Sequence, residues 1–415
     1  MLGEDRAEDR LRELLRDPRW SLPAWRDPQQ RIRRAVRRQR LRLTGMAAGV
    51  AVAVVGVAVP AGIGVSGHAP GLAGGDRPGV PATAYVIYRY PPKFSTTAII
   101  PISTATNRPG KAIHVDVNGG VALTPDGKTL YVGAGDTIVP IRTATNTPGK
   151  PISMGPGGAG QIVMNPNGKT AYVGSFFPSD TITPVSTATN RPGNPIRVSS
   201  PVEEIAFTPD GKTAYLASRD SVIPVNTATD APGQPIRVGK GPLAIAFTPD
   251  GKTAYVMGPE TVVPVNTATN TVGRPIRLGT PTNAIAITPD GKTAYVVSAP
   301  GKAVIPISTA TNKAGKPIRI GRLVEDIAIT PDGKTAYVSS SEGPNPTVTP
   351  ISTATNTAGK PIRIALGLIT AITPGGKTLY AVAWHKIVPI STATNTPGKP
   401  IPVRYGQPDG IVITP

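Results

Sequence analysis

From residue 82 onward, short apolar runs alternate with turn-forming clusters on a fixed period. The string IAFTPDGKTAYV, Ile245 to Val256, returns nearly unchanged at Ile205, Ile285 and Ile327. Its PDG aspartate recurs at Asp126, Asp210, Asp250, Asp290 and Asp332, with Asn167 and Gly375 filling the slot in two looser copies. A second element, TATN, starts at Thr104, Thr143, Thr187, Thr227 (as TATD), Thr267, Thr309, Thr353 and Thr392, so the period is 39 to 44 residues. Regularity of this kind marks an architecture of stacked units.

Each unit predicts four strands. IAFT is a brief apolar run, and PDGK is a tight turn in which Asp and Gly supply the backbone angles. TAYV is the hairpin partner, VIPVNTAT the third strand, NTPGK a Pro-Gly turn and PIRV the fourth strand. Four strands per unit of about 40–45 residues is the pattern of a propeller blade. Helical periodicity is nearly absent after residue 80. The C-terminal GIVITP reads as a first strand without its partner, and ATAYVIY from Ala82 as a second strand without a first. Pairing the two would seal a ring. The prediction is an all-β, eight-bladed propeller over 82–415. Seven blades is the alternative, should a looser unit near Gly155–Asn165 or Ala365–Thr373 not form. Every third strand carries a proline (Pro101 is the first and Pro389 the last), which cannot donate to a ladder. A bulge or an unpaired position is expected there.

The pattern before residue 82 is different. Leu11, Leu14 and Leu15 make a narrow stripe among charges, which predicts a charged helix over residues 5–18. Arg31 to Arg42 holds seven Arg and no acid. Thr44 to Gly67 then carries no charge at all. A span of roughly 20 apolar residues matches a bilayer core, and Arg immediately before it holds that end in the cytoplasm. The chain therefore divides into a basic cytoplasmic tail (1–43), a single transmembrane anchor (44–67), a Gly/Pro-rich linker (68–81) and an extracytoplasmic propeller (82–415) at the cell membrane. The alternative is secretion after signal cleavage near Val59–Ala61, although 43 residues is a long lead for a signal peptide.

The propeller string, PxxIAFTPDGKTAYV followed by TVxPVNTATN, resembles the YVTN-type β-propeller repeat family of bacterial and archaeal surface and periplasmic proteins. The resemblance covers 82–415. It implies a propeller with the IAFT strand innermost and PIRV outermost, and it implies little about function, since such propellers serve as adhesive or ligand-binding surfaces and one branch binds DNA. Two features depart from it: the residue after YV is mostly Gly, Ala, Met or Val, and the third strand carries its proline.

Composition narrows the chemistry. There is no Cys, which excludes a disulfide framework, a thiol nucleophile and thiolate metal sites. The three His are scattered, and no set has metal-ligand spacing. No Gly-rich phosphate loop opens a helix, and the serines lack a His–Asp partner set. Neither a cofactor nor a metal is expected, and the chain does not read as an enzyme. The net charge is +19; thirteen Arg against seven acids in residues 1–43 account for +6, and the remainder carries +13. Much of the latter is repeat-borne: the Lys of PDGK, and Arg197, Arg237, Arg277, Arg319 and Arg363 on the outermost strands. Charge there discourages edge-to-edge pairing, and a cation ring of this kind also suits a polyanion.

Residues that vary between units carry the candidate site, because folding does not require them. The connections into the innermost strands hold Glu203, Glu204, Glu325, Asp326 and Asp409, with Asn118, Gln161 and Asn283 in similar places. They are expected at the mouth of the central channel, where carboxylates on a basic protein would hold a cation or a basic ligand. The connections between second and third strands hold Tyr88, Tyr90, Phe176, Phe177, Trp384 and His385. Aromatics in such loops suit stacking on sugars, bases or a partner surface. The expected function is a binding or scaffold module for a protein or an envelope polymer, using this loop face. DNA or an acidic wall polymer held by the +13 is the second expectation. A hydrolase or lyase with carboxylates at the channel mouth is the third.

Overall fold

The computed structural model describes residues 82–89, 97–155, 157–175, 180–198, 200–298, 300–321, 323–340, 346–364, 367–383, 386–403 and 407–415. The tail, the apolar span and the linker lie outside them. Among the described residues no helix is long and apolar enough to cross a membrane.

The strands form eight antiparallel sheets, one per unit, so the ring has eight blades. Blade 4 shows the plan. Glu204–Phe207 is innermost, followed outward by Thr213–Ser218 and Ser221–Asn226. The outer position is filled by two fragments, Ala231–Pro232 and Ile236–Arg237, both paired with the third strand. Blade 1 is completed from the far end of the chain. Gln407–Ile413 pairs with Thr83–Arg89, with Ala84 opposite Ile413 and Val86 opposite Ile411. Ring closure by the C-terminal strand is thus as expected, and the looser units form blades 3 and 8.

There is no single core. The buried apolar side chains fall into eight clusters, one at each interface between neighbouring blades. Ile205, Phe207, Leu216 and Val225 of blade 4 meet Val163, Tyr172 and Ile182 of blade 3, for example. The opposite face of blade 4, through Ala206, Tyr215 and Ala217, meets Ile245, Phe247 and Val256 of blade 5. Both faces of each sheet are covered, which explains why second and third strands read as continuous apolar runs rather than alternating ones.

Two sequence expectations need correction. The turn between third and fourth strands is TATN itself, not the Pro-Gly stretch; its Asn or Asp takes a left-handed φ of 52 to 56°, which Asn and Asp tolerate best after Gly. The fourth strand is not a continuous PIRV but two pieces of at most two residues around a glycine. The third-strand proline is the reason. Pro224 directs its carbonyl outward, where it accepts the Gly233 N–H at 2.7 Å. A strand residue aims its N–H to the same side as its C=O, so the donor that proline lacks belongs to the outer ladder, not the inner one. The outer strand answers with one extra residue: Gly233, Gln234 and Pro235 span the gap opposite Ile223 and Pro224. This is a β-bulge. A Cβ on Gly233 would sit 3.2 Å from the Pro224 ring, which favours glycine there.

The repeat residues build a second device on the same side of the ring. In blade 5, Thr248 Oγ1 donates to Asp250 Oδ1, which also accepts the Lys252 N–H. These bonds hold the Asp250 carboxyl below its ordinary range. The buried tyrosine of each TAYV then reaches the next blade. Tyr255 donates to Asn312 Oδ1 at 2.7 Å, Tyr215 to Asn270 at 2.7 Å and Tyr337 to Asn395 at 2.6 Å. Tyr380 closes the circuit on Asn107 of blade 1 at 2.6 Å. All eight interfaces carry this latch, with Asp230 replacing Asn in the bond from Tyr172. Burial pushes the Tyr255 phenol up to about 12, so it remains a donor at any physiological pH.

Removing one latch is expected to cost about 1 kcal/mol, because the exposed Asn312 regains water when the phenol is lost. Tyr255→Phe and Asn312→Gly should therefore lower stability about equally in urea. Asn312→Ala should cost about 1–2 kcal/mol more, since alanine at φ 52° is strained. Equal losses for the Ala and Gly variants would contradict this account.

Candidate functional site

The PDGK and TATN turns lie at one end of the blades. The connections into the innermost strands, and those from second to third strands, lie at the other. The repeat-borne end makes the same side-chain bonds in blade after blade; the variable end repeats backbone bonds, while its side-chain bonds differ between blades.

Glu204 opens the innermost strand of blade 4 and is 7% exposed. The sequence reading placed it in a connecting loop; the structure buries it within the blade. Its cross-strand neighbour explains how it fits. Glu204 faces Ala217, and the equivalent acid of blade 7, Asp326, faces Ser339. In blades 5 and 6 the same positions pair Ala244 with Met257 and Ala284 with Val297. Opposite residues share a face, so an acid beside a small residue occupies the volume that alanine beside a large one fills elsewhere.

Gln161, at the matching point of blade 3, orients this carboxyl. Its Nε2 donates to Glu204 Oε2 at 3.1 Å, while its Oε1 accepts the Ile205 N–H at 3.1 Å. Ile205 N–H is not used by the hairpin partner, so the carboxamide seals an edge of the innermost strand. Glu204 Oε1 is buried without a hydrogen-bond partner. Burial pushes the Glu204 carboxyl up to about 8, against the smaller lowering by Gln161. Asp326 is also 7% exposed, and burial pushes it up to about 7. The Ile327 N–H bonded to Asp326 Oδ1 at 2.8 Å opposes that rise, and the nearby Glu325 adds to it. Near neutrality both acids hold protons for a substantial fraction of the time.

Glu203 is exposed at the lip of the channel, and partial burial raises its carboxyl above the ordinary range. Glu325 is half-exposed at a bulge between Val324 and Asp326. Leu243, the counterpart of Glu203 in blade 5, is 46% exposed, one of two large apolar side chains so exposed among the described residues. The lip thus offers an acid on one blade and an apolar side chain on the next. No sequence signal singled out Leu243, because a leucine beside an apolar strand reads as part of that strand.

The aromatic candidates fare differently. Tyr88 does not lie in a loop: it belongs to Thr83–Arg89, is fully buried, and packs with Val86, Ile100 and Tyr380. Pairing with Gln407–Ile413 on one side and Thr97–Ser103 on the other carries the strand past the point where its sequence turns polar. Tyr90, Phe176, Phe177, Trp384 and His385 lie outside the described residues. Asp409 falls within Gln407–Ile413. Asn118 accepts the Gly135 N–H, tying the connection into blade 2 to its own outer hairpin.

Blades 2 and 3 approach closely. A Cβ on Gly119 would fall 1.8 Å from the Ala159 carbonyl oxygen, and one on Gly120 would fall 2.5 Å from the Ile162 nitrogen. Gly120 N–H donates to the Gly160 carbonyl there. Glycine backbone packs closely in this sector, and the acids and Leu243 lie on later blades. Among the described residues no group of three or more His, Cys, Asp or Glu is placed to hold a metal ion.

Neither a protein-family model nor a curated protein sequence matches the chain. Solved structures do. One is dihydro-heme d1 dehydrogenase NirN in complex with DHE, at 13% identity and a TM-score of 0.66, covering 79% of this chain and 74% of that one. Another is hydrazine synthase of Kuenenia stuttgartiensis, at 19% identity and a TM-score of 0.51, covering 69% of this chain and 95% of that one. The likeness is one of fold.

Proposed function

We propose that the chain is an extracytoplasmic binding module, anchored by Thr44–Gly67, that takes a protein ligand on the variable end of its propeller. The observation that carries this reading is the contrast between the two ends. One end spends its side chains on bonds that repeat from blade to blade. The other places an exposed Leu243 beside an exposed Glu203 at the channel lip. Apolar contact rimmed by charge is what protein ligands use, and a basic segment complements the acids. The resemblance to YVTN-type surface propellers supports the same reading and the extracytoplasmic placement. An envelope polymer is the other ligand this face would take.

Catalysis is not favoured. The two acids with the largest upward shifts are buried, Glu204 bonded by a carboxamide and Asp326 by its own strand. Burial keeps both carboxyls from the hydrogen-bond reach of a substrate that a general acid or base needs.

The test presents the full chain to an array of basic and neutral peptides, wall glycans and acidic polymers, at low and high salt. A ligand retained at high salt and weakened tenfold or more by Leu243→Asp or Glu203→Lys is expected. Ligands that bind both variants as tightly as the parent would refute the site.

A further inference from the structure

We propose that the circumference of the propeller is a docking belt for a flexible, linear polyol-phosphate chain. This surface is separate from the ligand face above.

The outer strands and their bulges comprise residues 108–114, 147–153, 191–197, 231–237, 271–277, 313–319, 357–363 and 396–402. These 56 residues contain fourteen Lys or Arg and no Asp or Glu. All fourteen are exposed. Arg237 is ion-paired with Asp220 at 3.4 Å; among the described residues no ion pair is formed by the other thirteen. The acids lie outside these strands: at the channel lip, in the connections that flank the outer-strand ends (Asp116, Asp136, Asp180, Asp220, Asp230 and Glu260), and in the PDGK turns, where Asp126, Asp210, Asp250 and Asp290 are each met by their own lysine at 3.5 to 3.8 Å. The rim therefore carries a net positive field, densest at Arg274, Arg277, Lys313, Lys316 and Arg319 of blades 5 and 6.

Protection of the sheet edge does not account for this density. Edge pairing is already blocked by the bulge, which breaks each outer strand into pieces of at most two residues. The cations are thus available for a partner, and the chemistry of the rim selects it. No Phe, Tyr or Trp occurs in the 56 residues, so the stacking platform that single-stranded nucleic acid uses is absent from the rim. Duplex DNA is stiff over about 50 nm, whereas a compact domain of this size has a radius of gyration of about 20 Å. A duplex would meet the belt along a short tangent only. A flexible chain of phosphodiesters without bases can follow it from blade to blade, driven by release of its condensed counterions.

The experiment uses the full chain, with the seven Arg of Arg31–Arg42 changed to Gln in every arm, because that run is a second polycation. The probes are poly(glycerol phosphate), a single-stranded oligonucleotide and a duplex, matched in charge number. Binding is measured from low to moderate salt. The five substitutions Arg274→Gln, Arg277→Gln, Lys313→Gln, Lys316→Gln and Arg319→Gln are expected to weaken poly(glycerol phosphate) about tenfold or more. They should also reduce the salt slope by about 3. A second variant, Lys360→Gln, Arg363→Gln and Lys399→Gln, should weaken it less, in proportion to its three charges. All eight positions are exposed, and unchanged unfolding curves would show that the variants fold. Undiminished binding by both variants, or tighter binding of either nucleic acid than of poly(glycerol phosphate), would overturn the proposal.

Discussion

Truncation after Tyr405 is expected to abolish cooperative folding of the whole ring, although it removes ten residues of 415. The lost segment is the innermost strand of blade 1. Ile411 and Ile413 belong to the cluster shared by blades 8 and 1, and Val412 to the cluster shared by blades 1 and 2. All three are at most 6% exposed. Burying such a side chain is worth about 1.5–3 kcal/mol, so the three together contribute about 5–9 kcal/mol. That is comparable with the whole net stability of a typical domain, about 5–15 kcal/mol. The loss also strands the inner edge of Thr83–Arg89 and the Thr83 N–H, which donates to Thr414 Oγ1 at 2.7 Å. The accompanying control is a circular permutant. Pro415 ends where the other units continue with Asp-Gly-Lys, and Thr83 begins where they resume. Joining Pro415 to Thr83 through Asp-Gly-Lys, with new termini in the 404–406 segment, should give an ordinary blade and a stable ring. A truncated chain that unfolds as cooperatively as the parent, or a permutant that fails to fold, would show that closure is not what holds blade 1.

The period, the blade count and this closure were all legible in the sequence, because each rests on local turn chemistry repeated many times. What escaped was set by contacts between strands. The broken outer strand had a signal that went unread: each third-strand proline is followed nine residues later by a glycine, from Pro101 and Gly110 to Pro389 and Gly398. The two bond to each other in the ladder, so their spacing encodes the bulge. The latch from Tyr255 to Asn312 crosses blades, and nothing within one unit marks its two ends as partners. Tyr88 was misread for a related reason. Its loop-like surroundings, YRYPPKF, are overridden by pairing on both sides, one of them with a strand more than 300 residues away. The burial of Glu204 was half-legible. Thirteen residues on stands Ala217, where blades 5 and 6 have Met257 and Val297, and a cross-strand reading of volumes would have drawn the acid into the blade.

That burial makes the protein lose stability as pH rises toward neutrality, and Glu204→Gln should remove about half of the effect. In the unfolded chain a Glu ionises near 4.3 and an Asp near 3.9. In the folded ring Glu204 ionises near about 8 and Asp326 near about 7. Between the two values of each group, the native state holds a proton that the unfolded state has released. Stability then falls with rising pH by about 1.4 kcal/mol per pH unit per group. Both groups act between about pH 5 and 7, and Glu204 alone from there to about 8. The PDGK aspartates act in the opposite sense at the acid end. Their folded carboxyls lie below the ordinary range, so their contribution is present above the unfolded value and is lost as pH falls through the folded one. Maximum stability is therefore expected between these regimes, near pH 4–5. Glutamine has the shape of the neutral acid and keeps the Gln161 contact available, so Glu204→Gln should match the parent near pH 5 and exceed it at pH 8. Adding Asp326→Asn should flatten the profile through this window. Urea midpoints from pH 5 to 8 measure this directly. Parallel profiles for parent and double variant would mean that water or a counterion reaches Glu204 Oε1 and keeps the carboxylate charged in the folded ring.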